Sequence, residues 1–86
     1  MNKFNKKISN KVLTSFAEAL KINSSDINIE RKFSEFSTLD SLGFVKLIIS
    51  LNEQFDIELD SENVLECDNI IQLSIYIESL IDSKIR

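Results

Sequence analysis

The chain contains one glycine, Gly43, and no proline in 86 residues. Small sheets need tight turns, and tight turns draw on glycine for positive φ and on proline for a fixed φ. A chain almost without either is predicted to be all-α, its helices joined by polar loops. Its length falls below the roughly 100–150 residues of an average domain, so residues 1–86 are expected to form a single domain with one small core. With 43% hydrophobic and 28% charged residues, the chain has the composition of a globular protein rather than a disordered one.

The helices can be placed from apolar spacing. Ile8, Val12, Leu13, Phe16, Ala19 and Leu20 recur every three or four residues, which predicts an amphipathic helix from about Asn5 to Leu20. Residues 21–40 carry isolated apolar side chains, Ile22, Ile27, Ile29, Phe33, Phe36 and Leu39, without a sustained period. They read as a long loop pinned to the core by those side chains, and loops of this length are often functional. Asp40 and Ser41 both have short polar side chains suited to capping, so a second helix is expected over Leu42 to Phe55. Its inward stripe is expected at Val45, Ile48, Leu51 and Phe55, widened by Leu47, with Lys46, Asn52, Glu53 and Gln54 elsewhere around it. Asp56 to Asp60 alternates like a strand but has no partner to pair with, and reads as a loop with Ile57 and Leu59 turned inward. A short helix at Ser61–Leu65, capped by Asp60 or Ser61, precedes a last helix capped by Asp68 or Asn69, with Ile70, Leu73, Ile77 and Leu80 inward.

Charge and residue usage exclude several functions. A net charge of −4 and a pI near 4.7 oppose nucleic-acid binding, which needs a basic face, and favour basic protein partners. No histidine is present to serve as a neutral-pH base, so neither a catalytic residue nor an enzyme activity is assigned. The lone Cys67 can form no internal disulfide, no zinc-ligand pattern exists, and the chain suits a reducing cytoplasm. Lys3, Lys6, Lys7 and Lys11 precede an apolar stretch as in a secretory leader, but Glu18 interrupts it after Ala17, and no signal peptide is expected. No segment approaches the ~20 apolar residues of a membrane span.

One run stands out: Thr38-Leu39-Asp40-Ser41-Leu42-Gly43-Phe44-Val45-Lys46-Leu47-Ile48, followed by Phe55-Asp56-Ile57-Glu58-Leu59. It resembles the motif of the acyl and peptidyl carrier proteins, the phosphopantetheine-binding family in its stand-alone, type II form. There an Asp-Ser-Leu sequence opens the second helix and a Phe-Asp-x-Glu-hydrophobic segment closes it. The resemblance extends from the first amphipathic helix to Ile75-Tyr76-Ile77. It implies a four-helix bundle with a long first loop and a short third helix. Ser41 is then the attachment point of a 4'-phosphopantetheine arm transferred from coenzyme A, and Asp40 helps position the metal-bound reacting groups of the transferase. The implied function is to carry acyl or aminoacyl groups as thioesters to partner enzymes of a specialised fatty acid, polyketide or nonribosomal peptide pathway. The implied partners are a phosphopantetheinyl transferase, an acyl- or aminoacyl-loading ligase and a downstream synthase or transferase, with the carrier itself a cytoplasmic monomer. A phosphodiester at a helix N-terminus also suits the positive end of the helix dipole.

Two alternatives stand beside this reading. One is a D-alanyl or aminoacyl carrier, whose motif resembles this one but has Met after the serine, where this chain has Leu42. The other is an unmodified helical interaction module in which Ser41 is only a cap. Leu42, Phe44 and Ile49 fall off the expected inner stripe and are candidates for partner docking, or else complete packing against the long loop. By resemblance, carriers of general fatty acid synthesis have a strongly acidic second helix. Here Gly43, Lys46 and Asn52 occupy the matching positions and only Glu53 is acidic, so Lys46 is expected to repel a basic docking patch, and Lys46 and Glu53 join Leu42, Phe44 and Ile49 as candidate partner-binding residues. The acids Glu53, Asp56, Glu58, Asp60, Glu62, Glu66 and Asp68, with no intervening base, read as a solvated face, with a dedicated docking patch as the alternative. Cys67 matches a core apolar position of the family.

Overall fold

The computed structural model describes residues 6–36 and 40–85. Lys3, Asn5, Ser37, Thr38 and Leu39 therefore lie outside the described residues. The order is α1 (Lys6–Leu20), two single 3₁₀ turns (Ser24–Asp26 and Phe33–Glu35), α2 (Ser41–Phe55), α3 (Ser61–Leu65) and α4 (Ile70–Ile85). No strand occurs among the described residues, and the predicted all-α bundle with a short third helix is the fold found.

The core sits where the helices converge. Val12 and Phe16 of α1, Leu47 and Leu51 of α2, Val64 of α3, and Ile70, Leu73 and Ile77 of α4 are all buried, and α1 packs against both α2 and α4. The long loop is tied to this core by Ile27 and Phe33, both buried, with Ile29 and Phe36 packed at its edge. Phe16 lies 5.3 Å from Phe33 and 5.0 Å from Phe36, ring centre to ring centre, the second pair edge to face. Ile22, expected to pin the loop as well, is exposed.

Local rules account for most helix ends. After α1, Lys21 takes a left-handed conformation at φ 59°. Its N–H donates to the Glu18 carbonyl at 3.3 Å, and that of Ile22 donates to the Ala17 carbonyl at 3.0 Å, the paired bonds of a Schellman ending. Asp56 ends α2 in the same conformation at φ 55°, with the Ile57 N–H reaching the Asn52 carbonyl at 3.1 Å. The expected strand-like stretch is a loop, with Leu59 buried and Ile57 partly so. The Asn52 side chain holds it by accepting from the Leu59 N–H at 2.9 Å. Asp60 caps α3 through the Glu62 N–H at 3.0 Å. Asn69 caps α4 through the Gln72 N–H at 2.9 Å, and the Gln72 side chain reaches back to accept from the Asp68 N–H at 2.8 Å.

The inner stripe of α2 departs from expectation. Its buried positions are Gly43, Leu47 and Leu51, spaced by four, with Phe44, Ile48 and Phe55 packed at the margins. Val45, placed inward by the sequence reading, is 50% exposed. The inner face passes through the glycine, which an apolar pattern does not register.

Candidate functional site

The first turn of α2 presents the hydroxyl singled out by its sequence. Asp40 is the N-cap, extended at φ −102° and ψ −176°, and its Oδ1 accepts from the Gly43 N–H at 2.8 Å. Its carbonyl accepts from the Phe44 N–H at 2.9 Å. Capping thus falls to Asp40 rather than being shared with Ser41. Ser41 is the first residue inside the helix and is exposed. Its hydroxyl is free of capping duty and sits at the positive end of a 15-residue helix, where an ester-linked phosphate is electrostatically welcome.

A cleft of about 460 Å³ opens beside this hydroxyl, between α2, α3 and the 3₁₀ turn at Phe33. Asp40, Ser41, Ser34 and Ser61 supply its polar lining, and Phe33, Phe44, Val45, Ile48 and Leu65 its apolar lining, together with Cys67. Polar contacts set the position of the α3 wall. The Tyr76 hydroxyl accepts from the Asp60 N–H at 3.2 Å and from Asn63 Nδ2 at 3.4 Å. The Asp68 carbonyl accepts from the Phe33 N–H at 2.7 Å, joining loop to the α3–α4 connection.

Cys67 is half-buried on this cleft, its Sγ donating to the Asn63 carbonyl at 3.5 Å. Burial, and secondarily the neighbouring Asp68 and Glu66 carboxylates, push its thiol above the ordinary range. A thiol so placed stays protonated at neutral pH and is a poor nucleophile. No cluster of three or more metal-ligating side chains exists among the described residues. No helix among them is long and apolar enough to cross a membrane.

The residues read from the sequence as a docking surface separate into two sets. Leu42 and Ile49 are 62% and 52% exposed, and Lys46 and Glu53 are exposed as well. Phe44 instead turns partly inward, packing against the core and lining the cleft. The seven acids from Glu53 to Asp68 are all exposed. Sequence reasoning missed three features. Val45 and Leu65 are exposed apolar residues on either side of the cleft, and a five-residue helix such as α3 is too short for periodicity to orient. Tyr76 bears on α3 through contacts no local pattern signals. A polar clamp joins α1 to α2, in which Gln54 Nε2 donates to Ser15 Oγ and, at 3.1 Å, to Ser50 Oγ.

Comparison with known proteins adds independent information. The family model described as a phosphopantetheine attachment site matches residues 10–77. The acyl carrier protein of Clostridium acetobutylicum is 33% identical over 69 residues, covering 80% of this chain and 90% of that one. That of Akkermansia muciniphila is 30% identical over 73 residues, covering 85% and 91%. That of Wolinella succinogenes is 34% identical over 62 residues, covering 72% and 82%.

Proposed function

Because the chain belongs to the phosphopantetheine-attachment family of acyl carrier proteins, whose prosthetic group is a covalent 4'-phosphopantetheine, we propose that Ser41 is the residue bearing that arm. The observation that carries the assignment is an exposed hydroxyl, relieved of capping by Asp40, at the mouth of the α2 helix and beside a largely apolar cleft. When attached, the group supplies a terminal thiol for thioester linkage of acyl cargo.

The protein's own residues supply acceptor, orientation and shelter. The Ser41 hydroxyl oxygen is the acceptor atom. Asp40 fixes the first turn of α2 through Oδ1, and as an exposed carboxylate with a second acceptor oxygen it can help position a transferase's reacting groups. The N-terminal dipole of α2 favours the anionic linkage. The cleft lined by Phe33, Phe44, Ile48 and Leu65 offers apolar surface to a cargo chain. A covalent tether keeps that cargo at high effective concentration near each partner. The partners are a phosphopantetheinyl transferase, a loading ligase and a downstream synthase or transferase of a specialised acyl or peptidyl pathway in the cytoplasm.

The test is intact mass after incubation with coenzyme A, magnesium and a promiscuous phosphopantetheinyl transferase. One added phosphopantetheinyl unit is expected on the native protein and none on Ser41→Ala. Equal addition to both proteins, or no addition with several transferases, contradicts the assignment.

A further inference from the structure

The cleft beside Ser41 has ends and a floor that limit what fits in it. On the α2 side it is lined by Ser41, Phe44, Val45 and Ile48, whose three- and four-residue spacing makes them one stripe along the helix. From Ser41 to Ile48 that stripe climbs about 10 Å. One turn further on, Asn52 accepts the Leu59 N–H at 2.9 Å and holds the loop after α2 against the helix, so the stripe is blocked there. Below it, Phe44 and Ile48 both pack against the core, and the core residues Leu47, Leu51 and Val64 are fully buried. Phe44 is the bulkier of the two and the nearer to Ser41, and its N–H donates to the Asp40 carbonyl at 2.9 Å, which fixes it to the capped first turn. The Ser41 end is anionic, because exposed Asp40 lines it and a phosphodiester on Ser41 adds a second negative charge. No Lys or Arg among the described residues lines the cleft.

We infer that Phe44 is a specificity-determining residue: by closing the cleft off from the core, it limits the cargo held there to an uncharged acyl chain of about eight carbons. The inference rests on Ser41 bearing the arm, since cargo reaches the cleft on a tether anchored at its edge. The length follows from the stripe, because an extended alkyl chain gains roughly 1.3 Å per carbon from single bonds of ~1.5 Å. A longer chain has no room below Phe44 and Ile48, and its end is left in water. Cargo ending in a carboxylate meets anions at one end of the cleft and apolar side chains elsewhere, with no cation to pair with, so burying it is costly. Removing the Phe44 ring opens the floor towards the core and gives a longer chain somewhere to go.

The experiment loads the native protein, Phe44→Ala and Phe44→Leu with acyl-coenzyme A esters from hexanoyl to hexadecanoyl, using a promiscuous phosphopantetheinyl transferase, with intact mass confirming one loaded arm. Melting temperatures are read against the same protein carrying an unloaded arm, so any cost of the substitution to the fold cancels. A chain seated in the cleft stabilises only the folded state, by up to about 3–6 °C per buried methylene. In the native protein the gain is expected to rise to about octanoyl and then level off. In Phe44→Ala it should go on rising for roughly four to six methylenes more, with Phe44→Leu between the two and sufficient for the comparison if the alanine variant does not fold. Adipoyl, which ends in a carboxylate, should give the native protein less gain than hexanoyl. A levelling point that all three proteins share, no gain at any length, a gain still rising at hexadecanoyl in the native protein, or equal gains from adipoyl and hexanoyl overturns the inference and leaves Ser41 as the attachment point. Failure of the native protein to gain an arm overturns the Ser41 assignment and the inference with it.

Discussion

At the scale of single residues, Asp40 alone takes the cap that the sequence leaves open between Asp40 and Ser41. Both residue types cap helices, and only the 2.8 Å bond from the Gly43 N–H to Asp40 Oδ1 assigns the cap to one of them. Asp40→Ala is therefore expected to lower stability by about 1 kcal/mol, whereas Ser41→Ala should be nearly neutral, both read from denaturant midpoints at constant slope. A comparable loss from Ser41→Ala would mean that Ser41 helps to cap the helix. Cys67 titrates on the same cleft. Burial, and secondarily the Asp68 and Glu66 carboxylates, raise its thiol above the ordinary range in the folded chain, so the native state holds its proton more tightly than the unfolded one. Its contribution is complete below the unfolded value and is lost as pH rises through the folded one. Stability should fall more steeply above about pH 9 in the native protein than in Cys67→Ala, as monitored by thermal melts across that range. Parallel pH curves would contradict the raised thiol. The start of α2 at this pair could be read from sequence because a motif and a capping rule coincide there. Cys67 packs partly buried against the core, as its matched family position implied, but that it also lines the cleft beside Ser41 could not be read, because this depends on how α3 sits over α2.

Among elements, α1 was legible almost to the residue, and α4 in its start and inward stripe though not in its end, since each presents a regular apolar spacing. α2 was legible in extent but not in orientation. Its inner face runs Gly43, Leu47, Leu51, and an apolar pattern cannot count a glycine, so apolar spacing alone places the stripe through Val45 instead. The same error hid the outer apolar ridge that Val45 completes. Helix endings follow an economy imposed by composition. With its single glycine spent inside α2, the chain ends α1 on Lys21 at φ 59°, a conformation that strains any residue bearing a Cβ. Lys21→Gly should raise stability by roughly 0.5 kcal/mol, the relief of strain exceeding glycine's added freedom in the unfolded chain. A decrease in the denaturant midpoint would show that the Lys21 side chain contributes more than its backbone strains.

The whole molecule has a radius of gyration of 12.1 Å, close to the ~12 Å of a compact chain of this length, although the described residues between α1 and α2 form no α-helix. That compactness depends on loop side chains acting as core. Phe33 is 8% exposed, stacks near Phe16, and donates its backbone N–H to the Asp68 carbonyl. Phe33→Ala is expected to destabilise the protein by about 3–5 kcal/mol and to widen the cleft beside Ser41. A loss under about 1 kcal/mol would mean the loop is not part of the core. The anchoring role of this loop was visible in its isolated apolar residues, but its two 3₁₀ turns were not, because three-residue helices have no period to read. Carrier function in this protein turns on which hydroxyl bears the arm. Trypsin cleavage after Lys32 and Lys46 releases residues 33–46, a peptide with four hydroxyl residues: Ser34, Ser37, Thr38 and Ser41. Fragmentation mass spectrometry of that peptide, from protein treated with transferase and coenzyme A, is predicted to place the whole added mass on Ser41. The added mass on Ser34, Ser37 or Thr38, or on any other peptide, would contradict it.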